Sequence, residues 1–437
     1  MSALALILSN QGYVVQGSDL SKNEFTEKLQ EHNIKVFIGH KKSNIDNAID
    51  VVVYSSAISE QNEELKAAKE KNLKIFSRAQ ILQEISKAYD NVISIAGAHG
   101  KTTTAGMITE VFMLAGLKPT AHIGGVVKSF NSNYLLGDHK YFITEACEYK
   151  NNFLLLNSTV GVILNVEPEH LDFFKTYENV LDAFKKFAQN SKTIIMYQKV
   201  PINHENAVFY GQNGYNARKV KKIKHGRYQF VCYFDNKKLF KVVLNVVGKH
   251  NIYNALATIA VCKYYGIRHN IIKQAIKNFS GISRRYDIKK IKPFIVHDYA
   301  HHPSQIKSVI EATRNFKKKL IIVAFQPHTY TRTQTLMNEF VDAFDVADDV
   351  CIVKTYSARE PFLKGGSAKT LYQHLKKKLK NIEYFSNFQS CYEYLQKKIK
   401  KTDTLLILGA GDIEILADKF KSDWYFLKII DISKMMW

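Results

Sequence analysis

A glycine-rich segment followed by lysine and threonine has the residue types of a phosphate-binding loop. It reads SIAGAHGKTTTAGM over 94–107, after an apolar run and at the start of a predicted helix. Gly97 and Gly100 allow several backbone N–H groups to face an anion at the N-terminus of that helix. Lys101 adds a positive charge at the outer phosphates, and Thr102 offers a hydroxyl to Mg²⁺. The segment therefore predicts nucleotide phosphate binding.

The segment departs from the common pattern GxxxxGK[ST], because Ile95 stands where the first glycine is expected. The alternative interpretation is a glycine-rich turn followed by a helix that threonines cap. Strand, glycines, Lys-Thr and helix occur in the order that phosphate binding requires, and this order favours the first interpretation.

Two acidic groups follow predicted strands downstream. The first lies in ITEACEYKNNFLL and contains Glu145 and Glu148; the second lies in ILNVEPEHLDFF and contains Glu167, Glu169, His170 and Asp172. Loops after the carboxyl ends of parallel strands are where ligands gather in open α/β sheets. Two such groups after a phosphate loop predict a metal site, although for His170 alone a surface or capping role is the favoured interpretation.

Three further polar segments have residues suited to ligand binding. Asn251 and Asn254 project from the first turn of a predicted helix, where capping is the alternative role. His301 follows a strand in HDYAHHPSQI, and a hydrogen-bonding role is favoured over metal ligation because adjacent histidines rarely point the same way. Arg332 in QPHTYTRTQTL suits a carboxylate or phosphate partner.

The elements that position these residues alternate as in an α/β protein, in three units over 1–88, 89–283 and 284–437. In the first unit the pattern predicts a helix that ends near Gly12, a strand that enters a turn at 17–19, and a buried strand over 51–58. The second unit contains a predicted hairpin with its turn at Asp235-Asn236. The third unit contains four apolar strands, FIVHDYA, KLIIVAFQP, DDVCIVKTY and TLLILGAGD.

Composition narrows the class of protein. The 437 residues carry a net charge of +22, with lysine runs at 219–227, 376–380 and 397–401. Nucleic-acid or membrane attraction is one interpretation, but the scattered basic positions have almost no interleaved aromatic residues and favour a solvated surface. The five separated cysteines fit reduced thiols, and the apolar runs are too short for a membrane helix. We expect a cytoplasmic protein that acts on an anionic small molecule.

The motifs, taken in order, resemble those of the Mur ligases of peptidoglycan synthesis. The matching segments run along nearly the whole chain: GSDL, SSAI, SRAQIL, GAHGKTTT, EACEYK, NVEPEHLD, GKHNIYNALA, RRYD, DYAHHP, QPHTYTRT, YSAREP and GAGDI. The resemblance implies a Rossmann-like N-terminal domain, a central P-loop ATP-binding domain and a Rossmann-like C-terminal domain. Their expected bounds are those of the three units above.

The resemblance also implies residues for ATP and Mg²⁺. Lys101 would hold the outer phosphates, Thr102 and Glu145 one Mg²⁺, and Glu145 with His170 a second. The residues implied to bind ATP are Gly97, Ala98, His99, Gly100, Lys101, Thr102, Thr103, Asn251, Asn254, Arg285 and Asp298. Asn251 and Asn254 would lie near adenine, whereas Arg285 and Asp298 would reach ATP from the third domain.

The substrate residues implied by the resemblance come from all three units. Those matching the UDP-binding region are Ser18, Asp19, His40, Ser56 and Arg78, and those near the muramoyl group are Gly124 and Gly125. His301 and Arg332 would lie beside the muramoyl carboxylate and the incoming amino acid. With Lys101 they are the implied catalytic residues.

The implied activity is ATP-dependent ligation of L-alanine to the carboxylate of UDP-N-acetylmuramate through an acyl phosphate. One alternative is ligation of a murein tripeptide to the same sugar in recycling, and another is a truncated ATP-binding remnant with weak substrate binding. A basic nucleic-acid-dependent ATPase is a third alternative, for which no motif is present. The expected partners are the small-molecule substrates, without nucleic acid or membrane insertion, for a monomer or weak homodimer.

The start of the sequence departs from the family pattern. Related ligases begin with a strand and a turn that reads like GIGGxGMSALA, whereas this sequence begins at MSALA. We expect that the start was placed at an internal methionine and that codons for a glycine-rich turn lie just upstream. The alternative is a protein that lacks this loop and therefore binds the UDP-sugar poorly.

Overall fold

The computed structural model describes residues 1–55, 57–315, 319–358 and 360–420, with only the backbone of Asp172. The chain forms two compact units. One contains Met1–Lys222 and Tyr228–Gly281, and the other contains Ile223–Arg227 and the chain from Ile282 onward.

The N-terminal part of the first unit alternates short strands and helices. Its elements are α1 (Ser2–Asn10), β1 (Gln16–Asp19), α2 (Glu24–Glu31), β2 (Lys35–Ile38), β3 (Val51–Tyr54), α3 (Glu63–Glu70), β4 (Lys74–Ser77) and α4 (Arg78–Ser86). The strands form two separate parallel pairs, β1 with β2 and β3 with β4.

Two predictions for this region are wrong in detail. Residues 17–19 lie inside β1 instead of in a turn, because they pair in parallel with residues 36–38 of β2. The strand predicted over 51–58 ends at Tyr54 and is only partly buried, with Val51 40% exposed. The apolar run indicated a parallel strand covered on both faces, whereas β3 belongs to a two-stranded sheet and keeps an exposed end.

The rest of the first unit is built on a ten-stranded sheet. Its elements are β5 (Asn91–Ala96), α5 (Lys101–Leu114), β6 (Thr120–Val127), β7 (Ser132–Leu135), β8 (Tyr141–Glu145), β9 (Ser158–Ile163), α6 (Leu171–Phe174), α7 (Tyr177–Gln189), β10 (Ser191–Tyr197), β11 (Ala207–Gly211), β12 (Tyr215–Lys222), β13 (Arg227–Phe234), β14 (Lys237–Val247), α8 (His250–Tyr264) and α9 (His269–Asn278). The strand order is β14-β13-β12-β11-β10-β9-β5-β8-β6-β7. The predicted hairpin is confirmed: Asp235 and Asn236, both with positive φ, join β13 to β14.

The strand pairing in the centre of this sheet determines where the site residues lie. β5 pairs in parallel with β8 on one side and with β9 on the other, with Ile95 opposite Glu145 and Ala96 opposite Ile163. Three loops therefore leave the sheet at the same edge. They are the glycine-rich segment after β5 and the two acidic segments after β8 and β9.

The second unit is a six-stranded sheet in the order β15-β16-β20-β17-β18-β19. Its elements are β15 (Asp287–Lys290), β16 (Phe294–Asp298), α10 (Pro303–Arg314), β17 (Ile321–Phe325), α11 (Tyr330–Thr335), α12 (Met337–Ala343), β18 (Asp349–Val353), α13 (Ala368–Lys376), β19 (Ile382–Phe385), α14 (Phe388–Lys398) and β20 (Thr404–Leu408), followed by a helix over 414–420.

All pairs in this sheet are parallel except β15 with β16. Strands β16, β17, β18 and β20 are buried throughout, and their side chains alternate between two apolar cores. This pattern is typical of a sheet covered by helices on both faces, so the predicted α/β class is confirmed.

Candidate functional site

The glycine-rich segment forms a tight turn between β5 and α5. Gly97 and Gly100 have φ of +137° and +90°, a region that favours glycine. A Cβ at Gly97 would lie 3.1 Å from the backbone nitrogen of Asn165, and one at Gly100 would lie 2.6 Å from Oδ1 of Asn254. Both glycines are therefore needed for the backbone shape that exposes N–H groups at the start of α5.

An asparagine after β9 fixes the middle of this loop. Oδ1 of Asn165 accepts a hydrogen bond from the backbone N–H of His99 at 2.9 Å, and its Nδ2 donates to the carbonyl of His99 at 3.0 Å. Asn165 was not among the residues predicted from the sequence. Its position two residues after a buried strand, at the same sheet edge as the loop, was the available signal.

Asn251 and Asn254 support the loop from α8. Both are buried; Nδ2 of Asn254 donates to Oδ1 of Asn251 at 2.9 Å, and Nδ2 of Asn251 donates to the carbonyl of Val247 at 2.7 Å. Oδ1 of Asn254 also lies against Gly100, so the two linked amides pack directly against the glycine turn. Their implied contact with adenine stays a prediction.

Lys101 lies between the loop and a carboxylate of the segment after β8. Its Nζ donates to the carbonyl of Gly97 at 2.5 Å and lies 3.0 Å from Oε2 of Glu148. Burial would raise the pKa of Glu148, but hydrogen bonds from His170 and Lys101 and the charge of Lys101 lower it. The carboxylate is thus ionised and matched by two cationic partners.

Three side chains in this region could hold a metal ion. Glu148, Glu169 and His170 each offer a ligand atom, and these atoms all lie within 4.8 Å of one another. The hydrogen bond from His170 to Glu148 raises the pKa of the imidazole despite partial burial, and burial raises the pKa of Glu169. Two carboxylates and an imidazole next to the glycine-rich loop are a donor set that suits a divalent cation.

The predicted metal ligands are only partly brought together. His170 belongs to the cluster, and Thr102 lies in the first turn of α5. Glu145 lies apart from the cluster within the described residues, because its carboxylate accepts the backbone N–H of Gly124. A Cβ at Gly124 would lie 2.8 Å from that carboxylate, so glycine permits the approach. Glu148 and Glu169 are the carboxylates grouped with His170, and the implied role of Glu145 as a metal ligand stays a prediction.

His99 adds a second ion pair beside the loop. Its Nε2 lies 3.3 Å from Glu167 and 3.7 Å from Glu169. The hydrogen bond with Glu167 raises the pKa of His99, even though burial opposes the charged form. His99 therefore contacts the segment after β9 twice, through its side chain with Glu167 and through its backbone with Asn165.

Two of the five predicted UDP-binding residues come together at the ends of β1 and β2. The hydroxyl of Ser18 donates to Glu64 at 2.6 Å, which leaves Nδ1–H of His40 to donate to Ser18 at 3.0 Å or to Glu64 at 3.1 Å. Nδ2 of Asn44 donates to the other oxygen of Glu64 at 2.6 Å. Ser18 and His40 are thus brought together, around a carboxylate that the sequence analysis missed.

Three other predicted substrate residues have separate positions. Oδ1 of Asp19 accepts the backbone N–H of Ser21 at 3.2 Å in an exposed turn. Arg78 begins α4, and Gly125 lies in β6 beside Gly124. Ser56 lies outside the described residues.

In the second unit, Asp298 is the last residue of β16, and Arg285 lies two residues before β15. Asp298 is buried and accepts backbone N–H groups from Tyr286 at 2.6 Å and Ala300 at 2.8 Å. The Arg285 guanidinium lies 5.1 Å from the ring centre of Tyr299. The implied contacts of Arg285 and Asp298 with ATP stay predictions.

His301 and Arg332 both lie close to His328, which the sequence analysis did not select. The His301 imidazole donates from Nδ1 to the carbonyl of Tyr299 at 2.8 Å, and burial lowers its pKa to about 3. The rings of His301 and His328 are 5.5 Å apart, and Nη1 of Arg332 lies 3.1 Å from Nδ1 of His328. His301 is neutral at physiological pH, with Nε2 as an acceptor.

Among the helices that the structure describes, none combines the length and the apolar character that a membrane crossing requires.

Comparisons with known proteins agree across the whole chain. Residues 1–90 match the Mur ligase family, catalytic domain; residues 95–262 match the Mur ligase middle domain; residues 284–411 match the Mur ligase, glutamate ligase domain. A UDP-N-acetylmuramate–L-alanine ligase of Caldicellulosiruptor bescii is 39% identical over 435 residues, which cover 96% of this chain and 95% of that protein.

Two solved structures are similar over almost the entire chain. The UDP-N-acetylmuramate–alanine ligase of Thermotoga maritima has a TM-score of 0.84 at 24% identity, with 97% of this chain and 96% of that chain covered. A murein peptide ligase of Psychrobacter arcticus has a TM-score of 0.70 at 21% identity, with the same coverage. At these identities the two structures indicate a shared fold.

Proposed function

Because the chain belongs to the Mur ligase family, we propose that it joins L-alanine to the carboxylate of UDP-N-acetylmuramate with consumption of ATP. The observation that carries this proposal is the convergence of Lys101, the glycine turn and the cluster of Glu148, Glu169 and His170 at one sheet edge. A relative named UDP-N-acetylmuramate–L-alanine ligase, 39% identical over nearly the whole of both chains, supports this choice of substrates. The product would be a precursor of peptidoglycan, made in the cytoplasm.

The residues after β5 fit the phosphates of ATP. Positive φ at Gly97 and Gly100 and the N-terminus of α5 offer backbone N–H groups and a positive dipole end to an anion. Lys101 would exchange its contact with Glu148 for the outer phosphates. Its positive charge would then offset the repulsion between an attacking carboxylate and the phosphate that it attacks.

The carboxylates after β8 and β9 fit Mg²⁺, which prefers oxygen ligands. Glu148 is ionised and buried next to Lys101, and its ligand atom lies within 4.8 Å of those of Glu169 and His170. Bound there, Mg²⁺ would neutralise phosphate charge. Thr102 and Glu145 remain candidate ligands from the family resemblance.

The second unit offers groups suited to an amino acid. Arg332 carries a fixed positive charge that suits a carboxylate, and the neutral His301 presents Nε2 as an acceptor for an amine N–H. We assign L-alanine to this loop cluster. Gly124 and Gly125, on β6 of the first unit, are assigned to the muramoyl group.

The test is product formation with the purified chain, UDP-N-acetylmuramate, Mg²⁺-ATP and either L-alanine or the L-alanyl-γ-D-glutamyl-meso-diaminopimelate tripeptide. ADP release and the mass of the product are measured together. We expect the alanine adduct, with ADP formed in equal amount. A tripeptide adduct without an alanine adduct would establish the recycling activity instead, and ATP binding without either product would indicate the remnant.

A further inference from the structure

Arg78 has a partner that is uncommon for an exposed arginine. Its Nη2 lies 3.3 Å from Nε2 of His122, a buried histidine of β6. Within the part of the chain that the structure describes, no carboxylate forms an ion pair with Arg78. The guanidinium is therefore held in place by a neutral acceptor.

The direction of each hydrogen bond in this region follows from the donors available. A guanidinium can only donate, so Nε2 of His122 accepts and Nδ1 carries the proton. Nδ1–H then donates to Oγ1 of Thr144 at 3.1 Å, and the hydroxyl of Thr144 donates to the carbonyl of Glu145 at 3.2 Å. The chain of hydrogen bonds runs in one direction from Arg78 to the end of β8.

The imidazole stays neutral in this position. Burial, and secondarily the charge of Arg78, lowers the pKa of His122 to about 3. A carboxylate at the same place would hold Arg78 equally well but would cancel its charge. His122 orients the guanidinium and leaves the positive charge available to an external anion.

The same strands also fix the neighbouring glycine segment. The carboxylate of Glu145 accepts the N–H of Gly124, two residues after His122. The hydrogen-bond chain therefore links α4, the glycines of β6 and the end of β8 into one arrangement.

We infer that His122 is a positioning residue for the sugar nucleotide, which holds Arg78 charged and oriented toward the anionic oxygens of that substrate. This inference rests on the proposed function, because the sugar nucleotide is the anion that function supplies. His122 itself touches Arg78 and Thr144, so its effect on substrate binding acts through Arg78.

The experiment compares His122→Phe, His122→Asn, Arg78→Ala and the double variant His122→Phe/Arg78→Ala. Steady-state kinetics give KM for UDP-N-acetylmuramate and for ATP, and calorimetry gives binding of UDP-N-acetylmuramate and of UDP without ATP or alanine. UDP binding separates a contact with the diphosphate, which UDP shares, from one with the sugar carboxylate, which UDP lacks.

We expect His122→Phe to raise KM for UDP-N-acetylmuramate about tenfold, the effect of a lost hydrogen bond to a charged group, and to change KM for ATP less than about twofold. His122→Asn should keep most of the affinity, because its amide can accept from Arg78 and donate to Thr144. The double variant should resemble Arg78→Ala alone, since His122 acts through that arginine.

Additive effects in the double variant, or an unchanged KM for the sugar nucleotide in His122→Phe, would overturn the inference. A general loss of folding would instead lower the midpoint of thermal unfolding and raise both KM values. Because His122→Asn should keep the hydrogen bonds, comparison with this variant distinguishes loss of the hydrogen bond to Arg78 from loss of folding. If the unaltered chain formed no ligation product, the proposed function would fail, while calorimetric binding of the sugar nucleotide would still test the role of His122.

Discussion

At the scale of single residues, the ion pair between Lys101 and Glu148 connects the phosphate loop to the candidate metal site. The Glu148 side chain is 3% exposed, and that of Lys101 is 17% exposed. Removing one partner of such a pair leaves the other charge buried and uncompensated. Each residue therefore affects both the fold of the loop and the position of the other.

The Glu148→Gln variant tests the metal site at this scale. The amide keeps the size of the side chain but removes the negative charge that attracts Mg²⁺. We expect the Mg²⁺ concentration for half-maximal ligation to rise roughly tenfold. The measurement is a Mg²⁺ titration of the ligation rate at saturating ATP.

The matched control is Glu84→Gln, because Glu84 is an exposed glutamate paired with Lys87 at 2.8 Å. The control should leave the Mg²⁺ requirement unchanged. An unaltered Mg²⁺ titration in Glu148→Gln would remove this residue from the metal site.

The sequence predicted which residue types form the candidate metal site better than it predicted which of these residues lie together. The acidic segments and Lys101 were evident from the motifs, but Glu145 was predicted as a metal ligand and its carboxylate accepts the N–H of Gly124. Which of two glutamates three residues apart joins the cluster depends on contacts that form only in the folded chain: Glu148 pairs with Lys101 and His170, whereas Glu145 accepts from Gly124. No local pattern encodes that choice.

At the scale of elements, three neighbouring parallel strands carry the proposed nucleotide site. Apolar runs bounded by turn residues predicted β5, β8 and β9, and their ends explain why the three loops meet. The order of strands in the sheet could not be predicted from these patterns, because β5 pairs with strands about 50 and 70 residues away. Asn165 was missed for the same reason.

The Asn165→Ala variant tests how β9 supports the loop. Loss of both hydrogen bonds to His99 should loosen the glycine turn and raise KM for ATP about tenfold, at a few tenths to about 1.5 kcal/mol per bond. KM for the sugar nucleotide should change little. Steady-state kinetics with each substrate varied in turn give the two values.

Asn206→Ala is the control for this variant, since Asn206 is exposed and donates to the carbonyl of Lys192 at 3.4 Å. It should leave both KM values as they are. Equal increases in the two KM values of Asn165→Ala would indicate general destabilisation of the unit instead of a local effect on the loop.

At the scale of the whole molecule, buried neutral histidines make stability depend on pH. Burial lowers the pKa of His122, His297 and His301 from 6.5 to about 3. Between these values the unfolded chain binds a proton at each site and the folded chain does not. The stabilisation is therefore complete above about pH 6.5 and decreases as the pH falls.

His297 gives the clearest test, because both of its ring nitrogens lack a hydrogen-bond partner within the described residues. The His297→Leu variant should be as stable as the unaltered chain at pH 7 or more stable, because an unpaired buried polar group is removed. Between pH 7 and pH 5, the unaltered chain should lose roughly 2 kcal/mol more than the variant. Denaturant unfolding at each pH measures this difference.

The control is His374→Leu, which changes an exposed histidine of the same unit. It should follow the pH dependence of the unaltered chain. If His297→Leu also followed that dependence, then His297 would not be a source of the acid sensitivity.

The α/β class and the family were predictable for the whole molecule, because many motifs occur in one order along the chain. The two small parallel sheets at the N-terminal end could not be predicted. The run VVVYSSAI has the pattern of one buried strand, but the strand that pairs with β4 ends at Tyr54. Periodicity reports which residues are apolar, but the helices that pack on a sheet decide how much of each face is covered.

The most direct test of the account is the ligation rate of Lys101→Ala with UDP-N-acetylmuramate, L-alanine and Mg²⁺-ATP. Lys87→Ala, which removes an exposed lysine paired with Glu84, is the control. We predict a loss of roughly a hundred- to a thousandfold in kcat for Lys101→Ala, with the control unchanged. Alanine coupling at full rate in Lys101→Ala would contradict the claim that this lysine holds the phosphates while the sugar carboxylate is activated.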